Sequence, residues 1–237
     1  MDWVLPNVSS PELQHQQPEF WVLPVGAFEQ HGAHLPMVTD TLIACAVGHR
    51  IAQAHGGAML SPVTVSCSHE HAGFYGTAWV SATTLLSILS DTLAALKHSN
   101  CRKLVIVNGH GGNYVVSSFA QQQNVKAAEV LLLPARQHHQ QAARLAGIET
   151  DLHQDMHGGE FETSILMAVA PEYLRPERMQ DHQHDERPLL TLTGMKGYTE
   201  SGIIGFPSKA SAAKGEAFLQ AIANVVAGDL QHFLSLP

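Results

Sequence analysis

The sequence predicts an α/β fold with a mostly parallel central sheet, and three observations support it. Short apolar runs alternate with longer stretches of helical spacing, which is the pattern of repeated strand, loop and helix. Three polar clusters, Glu29-Gln30-His31, Ser68-His69-Glu70-His71 and Asn108-Gly109-His110, each follow an apolar run directly. The 237 residues, 45% hydrophobic, suffice to bury one substantial core, so residues 1–237 are expected to form a single domain.

Taken in order, residues 20–25 form the first strand and empty into a Gly- and His-rich loop over 26–36. A helix over about 40–54 follows, with Thr39 or Asp40 as its cap. Residues 59–65 are a second strand leading into the loop 66–76. Residues 81–98 have the helical spacing of Leu85, Ile88, Leu89, Leu93 and Leu96, with Ser81 as cap. The run 103–107 is the clearest strand and ends at Asn108-Gly109-His110-Gly111-Gly112-Asn113; a helix starts near Asn113 or Tyr114. Residues 130–134 give a fourth strand, 160–170 a helix with acidic residues in its first turn, and 208–234 a long amphipathic helix.

Composition excludes several function classes. A formal net charge of -8, with no run of Lys or Arg, argues against a phosphate-neutralising surface and so against nucleic acid. Cys45, Cys67 and Cys101 are far apart and odd in number, as suits reduced thiols packed in the core. The first residues lack a signal-peptide pattern and no segment approaches the roughly 18 apolar residues of a membrane span; a cytoplasmic protein with no membrane partner is expected. Charged residues are only 14%, yet there are 16 His against 13 Lys plus Arg. Five of these, His15, His138, His139, His182 and His184, lie among polar residues as solvated loops or helix faces would.

Among the others, His31, His34, His69, His71, His110 and His157 sit where chemistry belongs. Parallel sheets gather function at the carboxyl ends of their strands, and three strands deliver ionisable residues to that edge. Glu29 and His31, two apart in an extended loop, project the same way. Asp40 opens the next helix, and His110 arrives among three glycines that admit a close neighbour. Glu160 and Glu162 come from a later segment. Mixed carboxylate and imidazole donors suit Zn, Mn or Fe. Each motif alone is weak; gathering unpaired ionisable groups on one edge for no purpose would be costly.

The runs Pro24-Val25-Gly26-Ala27-Phe28-Glu29-Gln30-His31-Gly32-Ala33-His34-Leu35-Pro36 with Thr39-Asp40, Asn108-Gly109-His110-Gly111-Gly112-Asn113, and His157-Gly158-Gly159-Glu160-Phe161-Glu162-Thr163-Ser164 closely resemble the creatininase family. The resemblance spans residues 20–170. It implies a three-layer sandwich and two divalent metal ions per subunit, zinc first, with manganese or iron as alternatives. One ion would take Glu29, Asp40 and His110; the other His31, the bridging Asp40 and a further carboxylate. Creatininase supplies that carboxylate two residues after the histidine matching His110, where this chain has Gly112. Glu160, standing where creatininase carries an apolar residue, is expected to replace it, and Glu162 to cap or brace the metal loops. Met156 stands in place of an acidic residue thought to help proton transfer, which argues against creatinine as substrate. Tyr75 and the bulky Trp79 alter the family's Phe-Pro-Gly-Thr stretch.

Two ions sharing a water would supply nucleophile and electrophile for C–N bond hydrolysis. His157 is the first candidate for the acid that protonates the leaving nitrogen, with Asp155 orienting it or acting instead; His34 and His71 come second, His34 equally as a brace for Glu29 or Asp40. The expected substrate is an amide or formamide of a small metabolite, with processing of a precursor peptide in cofactor biosynthesis as the alternative. A non-catalytic metal-binding assembly subunit is the reading from another class. The resemblance further implies a homo-oligomer, a hexamer among the options.

Overall fold

In the computed structural model, which describes residues 3–237, the chain runs α1 (Ser10–Gln16), β1 (Trp21–Val25), α2 (Thr39–His55), β2 (Ala58–Met59), α3 (Ala82–His98), β3 (Leu104–Asn108), α4 (Val115–Gln123), β4 (Val130–Leu132), α5 (Arg136–Leu145), α6 (Glu160–Val169), α7 (Leu190–Thr193), α8 (Ala212–Val225) and α9 (Ala227–Ser235). The strands form one parallel sheet in the order β2-β1-β3-β4. Side chains alternate across it, as the two-residue repeat of a strand requires. Val22, Val105 and Val107 enter a core layer with α2, α5, α6, α8 and α9, while Leu23, Val25, Leu104 and Ile106 enter one with α3 and α4. Helices therefore cover both faces, and the three-layer α/β sandwich is the architecture observed.

The connections fix where a site can form. From β1 the chain moves outward through α2 to β2; from β3 it moves the other way through α4 to β4. Loops leaving the carboxyl ends of β1 and β3 thus part company and open a crevice between them, the switch point at which parallel sheets bind ligands. Gly109 lets the β3 loop close against α2: a Cβ there would come 2.4 Å from the Asp40 carbonyl oxygen.

Several elements differ from their sequence reading for identifiable reasons. The second strand is only Ala58–Met59, because Pro62 lacks the N–H a ladder needs; the chain rejoins the sheet at Val63, which bridges Val25. Pro24 is tolerated in β1 because it lies beyond the point where β2 ends. The tail divides into α8 and α9 around Val226, beside the poor helix former Gly228, and α8 starts at the Ser211 cap, whose hydroxyl accepts from Lys214 N. The helix α5 was hidden by its Gln- and His-rich composition. It buries His138 and Ala142, and His139 packs its ring 4.2 Å from Phe161 and 5.2 Å from Phe218, so these two histidines are not solvated. Among the described residues no helix is long and apolar enough to cross a membrane.

Ile106 is fully buried in the central strand pair. Ile106→Ala is expected to lower unfolding free energy by about 2–5 kcal/mol in chemical denaturation, through lost burial and the cavity left behind.

Candidate metal centre

The crevice holds the residues expected of it, with two corrections. Glu29 and His31 lie on the loop after β1, Asp40 in the first turn of α2, and His110 just beyond β3. His31 Nε2 is 2.9 Å from Asp40 Oδ1, and His110 Nδ1 is 3.2 Å from both Asp40 Oδ2 and Glu29 Oε1. The two oxygens of one carboxylate therefore serve two different donor sets. All four residues are buried.

The first correction concerns Glu160, which the structure keeps out of this cluster. Its carboxylate is 2.6 Å from Lys214 Nζ and accepts from Thr150 N at 2.9 Å and Thr150 Oγ1 at 2.6 Å. Burial raises its pKa, but Lys214 and then Thr150 overcome that and leave it lowered. Glu162 comes to the cluster instead, with Oε1 3.8 Å from His31 Nε2 and Oε2 accepting from Gly158 N. Residues two apart on a helix point about 200° away from each other, so α6 can offer the site one of the pair and not both.

The second correction is Asp155. Its Oδ1 accepts from Glu160 N and its Oδ2 from Phe161 N, both at 2.7 Å, so it caps the N-terminus of α6 and neither carboxylate oxygen is free for proton transfer. Burial pushes it up to about 6 in spite of those bonds. His34 is buried nearby with Nε2 3.1 Å from Thr163 Oγ1; burial, then the His31 charge, bring it down to about 4. That geometry makes it a brace between the β1 loop and α6.

His157 reaches the cluster from the opposite side, its ring 4.1 Å from that of His31 and its Nδ1 3.9 Å from Glu29 Oε1. His71 does so too, with Nε2 3.3 Å from Glu29 Oε1. The reading of the sequence ranked His71 low and missed Gln30, whose Nε2 donates to the Gly202 carbonyl and to His71 Nδ1, each at 3.0 Å.

Three backbone carbonyls select the imidazole tautomers. Glu29 O accepts from His31 Nδ1 at 3.2 Å, Cys67 O from His110 Nε2 at 2.9 Å, and Gln30 O from His157 Nε2 at 2.6 Å. In each ring the other nitrogen faces the carboxylates, the orientation in which a deprotonated imidazole ligates a metal. His71 is different: Gln30 occupies its Nδ1, so its Nε2 carries the proton.

The charges also point to a cation. Burial and then Asp40 push Glu29 up, and burial brings Glu162 up to about 7. Burial lowers His31, yet Asp40 and then Glu162 overcome it and push the ring up to about 10. Both Glu29 carboxylate oxygens and Asp40 Oδ2 are buried without a hydrogen-bond partner, although imidazole nitrogens stand close by. Orphaned carboxylate oxygens at such burial are costly, and divalent cations that take mixed O and N ligation, such as Zn, Mn or Fe, satisfy them. Sets of donors within 4.8 Å of one another include Glu29 with His31 and His157, Glu29 with Glu70 and His110, and His31 with Asp40 and Glu162.

The chain matches the creatininase family, described as creatinine amidohydrolase, over residues 6–229. It belongs to that family. A mycofactocin precursor peptide peptidase of Mycolicibacterium smegmatis is 31% identical over 221 residues, which cover 89% of this chain and 83% of that protein. A creatinine amidohydrolase of Pseudomonas putida is 30% identical over 177 residues, 68% of each chain. The crystal structure of a creatinine amidohydrolase (creatininase) superposes with a TM-score of 0.81 at 25% identity, covering 97% of both chains. Creatininase-family relatives are thus hydrolases of more than one kind of substrate, and the fold is theirs.

Two hollows lie beside the cluster. A cavity of 380 Å³ is lined by Asn108, Gly109, His110, Arg136, Met156 and Glu162 among others. A groove of 430 Å³ runs past Glu70, Gly112, Tyr114, Leu192 and Lys196. Tyr75, Trp79, Tyr114 and Leu192 are exposed, and the Trp79 ring stands 5.9 Å from that of His69.

Glu160→Gln is expected to leave metal content, read by elemental analysis, unchanged while costing about 1–3 kcal/mol of stability for the weakened charged hydrogen bonds. A second expectation concerns pH. Only a neutral imidazole ligates, and His31 is protonated below about 10, so metal uptake near neutrality must expel a proton. Apparent affinity therefore rises with pH, and more steeply below about 7, where Glu162 also gives up a proton. Calorimetric titrations with zinc in buffers of different ionisation enthalpy measure that release.

Proposed function

We propose that this creatininase-family chain hydrolyses a C–N amide bond at a binuclear metal centre, with zinc as the first choice of metal. The observation that carries the reading is the division of Asp40: Oδ2 faces His110 and Glu29, while Oδ1 faces His31 and, beyond it, Glu162. Glu29, Asp40 and His110 would hold one ion; His31, Asp40 and Glu162 the other. Such a pair, when bound, would lower the pKa of a bound water and polarise the scissile carbonyl.

The chain's own groups supply the proton transfers. In the metal-free protein His157 is neutral, because burial and then the neighbouring His31 charge hold it well below its ordinary value. With Nε2–H committed to the Gln30 carbonyl, its Nδ1 is the free base on the cluster side. It takes the proton released as water attacks and returns it to the departing nitrogen. His71 presents an N–H on the same side, suited to donating to a negatively charged oxygen.

The substrate reading follows the surroundings. The 380 Å³ cavity beside His110 and Glu162 is of the size that holds a small amide or formamide. The groove across Gly112, with its exposed aromatic and aliphatic rim, favours an extended chain, and a peptidase is among the relatives spanning most of this sequence. We therefore place a peptide amide ahead of a compact metabolite.

Chelation is expected to abolish cleavage and zinc to restore it, tested on short peptides alongside N-formyl and small amide compounds; a fully loaded protein that cleaves none of them contradicts the proposal. His157→Gln is expected to reduce kcat by about 10²–10⁴-fold with metal content unchanged. Loss of metal in that variant would make His157 a ligand instead.

A further inference from the structure

In this chain the surroundings of Gly112, in the loop after β3, leave no room for a side chain. A Cβ at Gly112 would meet Glu70 Oε1 at 2.0 Å, His110 Nε2 at 2.4 Å and the Cys67 carbonyl oxygen at 2.8 Å. The space in which any other side chain would begin is thus taken by the Glu70 carboxylate, together with the edge of the His110 ring and the Cys67 carbonyl. From there Glu70 Oε1 lies 3.2 Å from His110 Nε2, on the edge of the ring opposite the Nδ1 that faces Glu29 and Asp40. The same Nε2–H donates to Cys67 O at 2.9 Å.

The segment carrying Glu70 is anchored without its carboxylate. Cys67 N donates to Asn113 Oδ1 at 3.0 Å, and the single 3-10 turn His69–His71 is closed by His71 N donating to Ser68 O at 3.1 Å. The carboxylate is therefore spare for a task at His110. A carboxylate beside the outer nitrogen of a ligating imidazole fixes the ring's rotation and makes the inner nitrogen a stronger donor. A carbonyl alone fixes the tautomer but adds no charge.

We propose that Glu70 is a positioning residue for the metal position held by Glu29, Asp40 and His110, and that Gly112 is required because it makes room for the Glu70 carboxylate against His110 Nε2. The proposal rests on the metal-centre reading above. It treats the pair as one device, so a methyl group at 112 should include the damage done by a neutral amide at 70.

The test is a double-mutant cycle on the full-length, metal-stripped protein with zinc alone as the probe, titrated in competition with a chromophoric chelator. Glu70→Gln is expected to weaken the more affected zinc position by about 10–100-fold while the metal-free protein keeps its fold by circular dichroism. Gly112→Ala is expected to give a loss at least as large, because its Cβ meets the Glu70 carboxylate and the His110 ring together. The double variant is expected to lose no more than Gly112→Ala alone, and the visible bands of the cobalt-loaded protein should shift in both single variants. Unchanged zinc affinity in Glu70→Gln overturns the proposal, as do losses that multiply in the double variant. Should Gly112→Ala fail to fold, Glu70→Gln still decides. Wild-type protein that takes up no zinc would overturn the metal-centre reading itself, an outcome distinct from these.

Discussion

Asp40 is the point on which the rest turns. It opens α2, where the helix N-terminus favours a negative charge, and it lies between two imidazoles that come from the loops of two adjacent strands. Like charges crowd it: Glu29 and Glu162 are both pushed up in part by Asp40, even though neighbouring imidazoles offset some of the effect. A buried set of carboxylates is stable only with countercharge inside it, as imidazolium protons or as cations. The sheet topology makes that crowding unavoidable, because the β1 and β3 loops diverge from a common edge and their polar residues have one crevice to share.

The supporting layer is built from backbone as much as from side chains. The carbonyls of Glu29, Gln30 and Cys67 each consume one ring nitrogen and so decide which nitrogen looks inward. On the far side, α6 is pinned in place by Asp155 at its N-terminus and by the Glu160–Lys214 pair on its outer face. Those contacts set the rotation of the helix and hence present Glu162 to His31. Residues that stabilise the fold and residues that would hold metal thus alternate along one short segment, with stability and function coupled through the helix phase.

Much of this was legible in the residues. The apolar runs and the polar clusters that follow them place Glu29, His31 and His110 at strand ends, and the helical pattern after residue 39 puts Asp40 in a first turn. The choice between Glu160 and Glu162 was also within reach: a helix beginning at residue 160 cannot aim both inward, and Lys214 was available as a partner for the one left outside. What could not be read was long-range pairing. Nothing local to residues 67–71 says that a carbonyl and a carboxylate there would meet His110, and nothing local to Gln30 says that its amide would fix His71. The second strand was overestimated because an apolar run concealed the effect of Pro62, and α5 was missed because its narrow buried stripe carries a histidine and an alanine.

Anomalous diffraction at the zinc absorption edge, from crystals of the zinc-loaded protein, tests the division of Asp40 most directly. The account predicts two peaks about 3.5–4 Å apart, one against Glu29 and His110, the other against His31 and Glu162, with Asp40 touching both. A single peak, or a second peak beside Glu160 with Glu162 turned away, would contradict it.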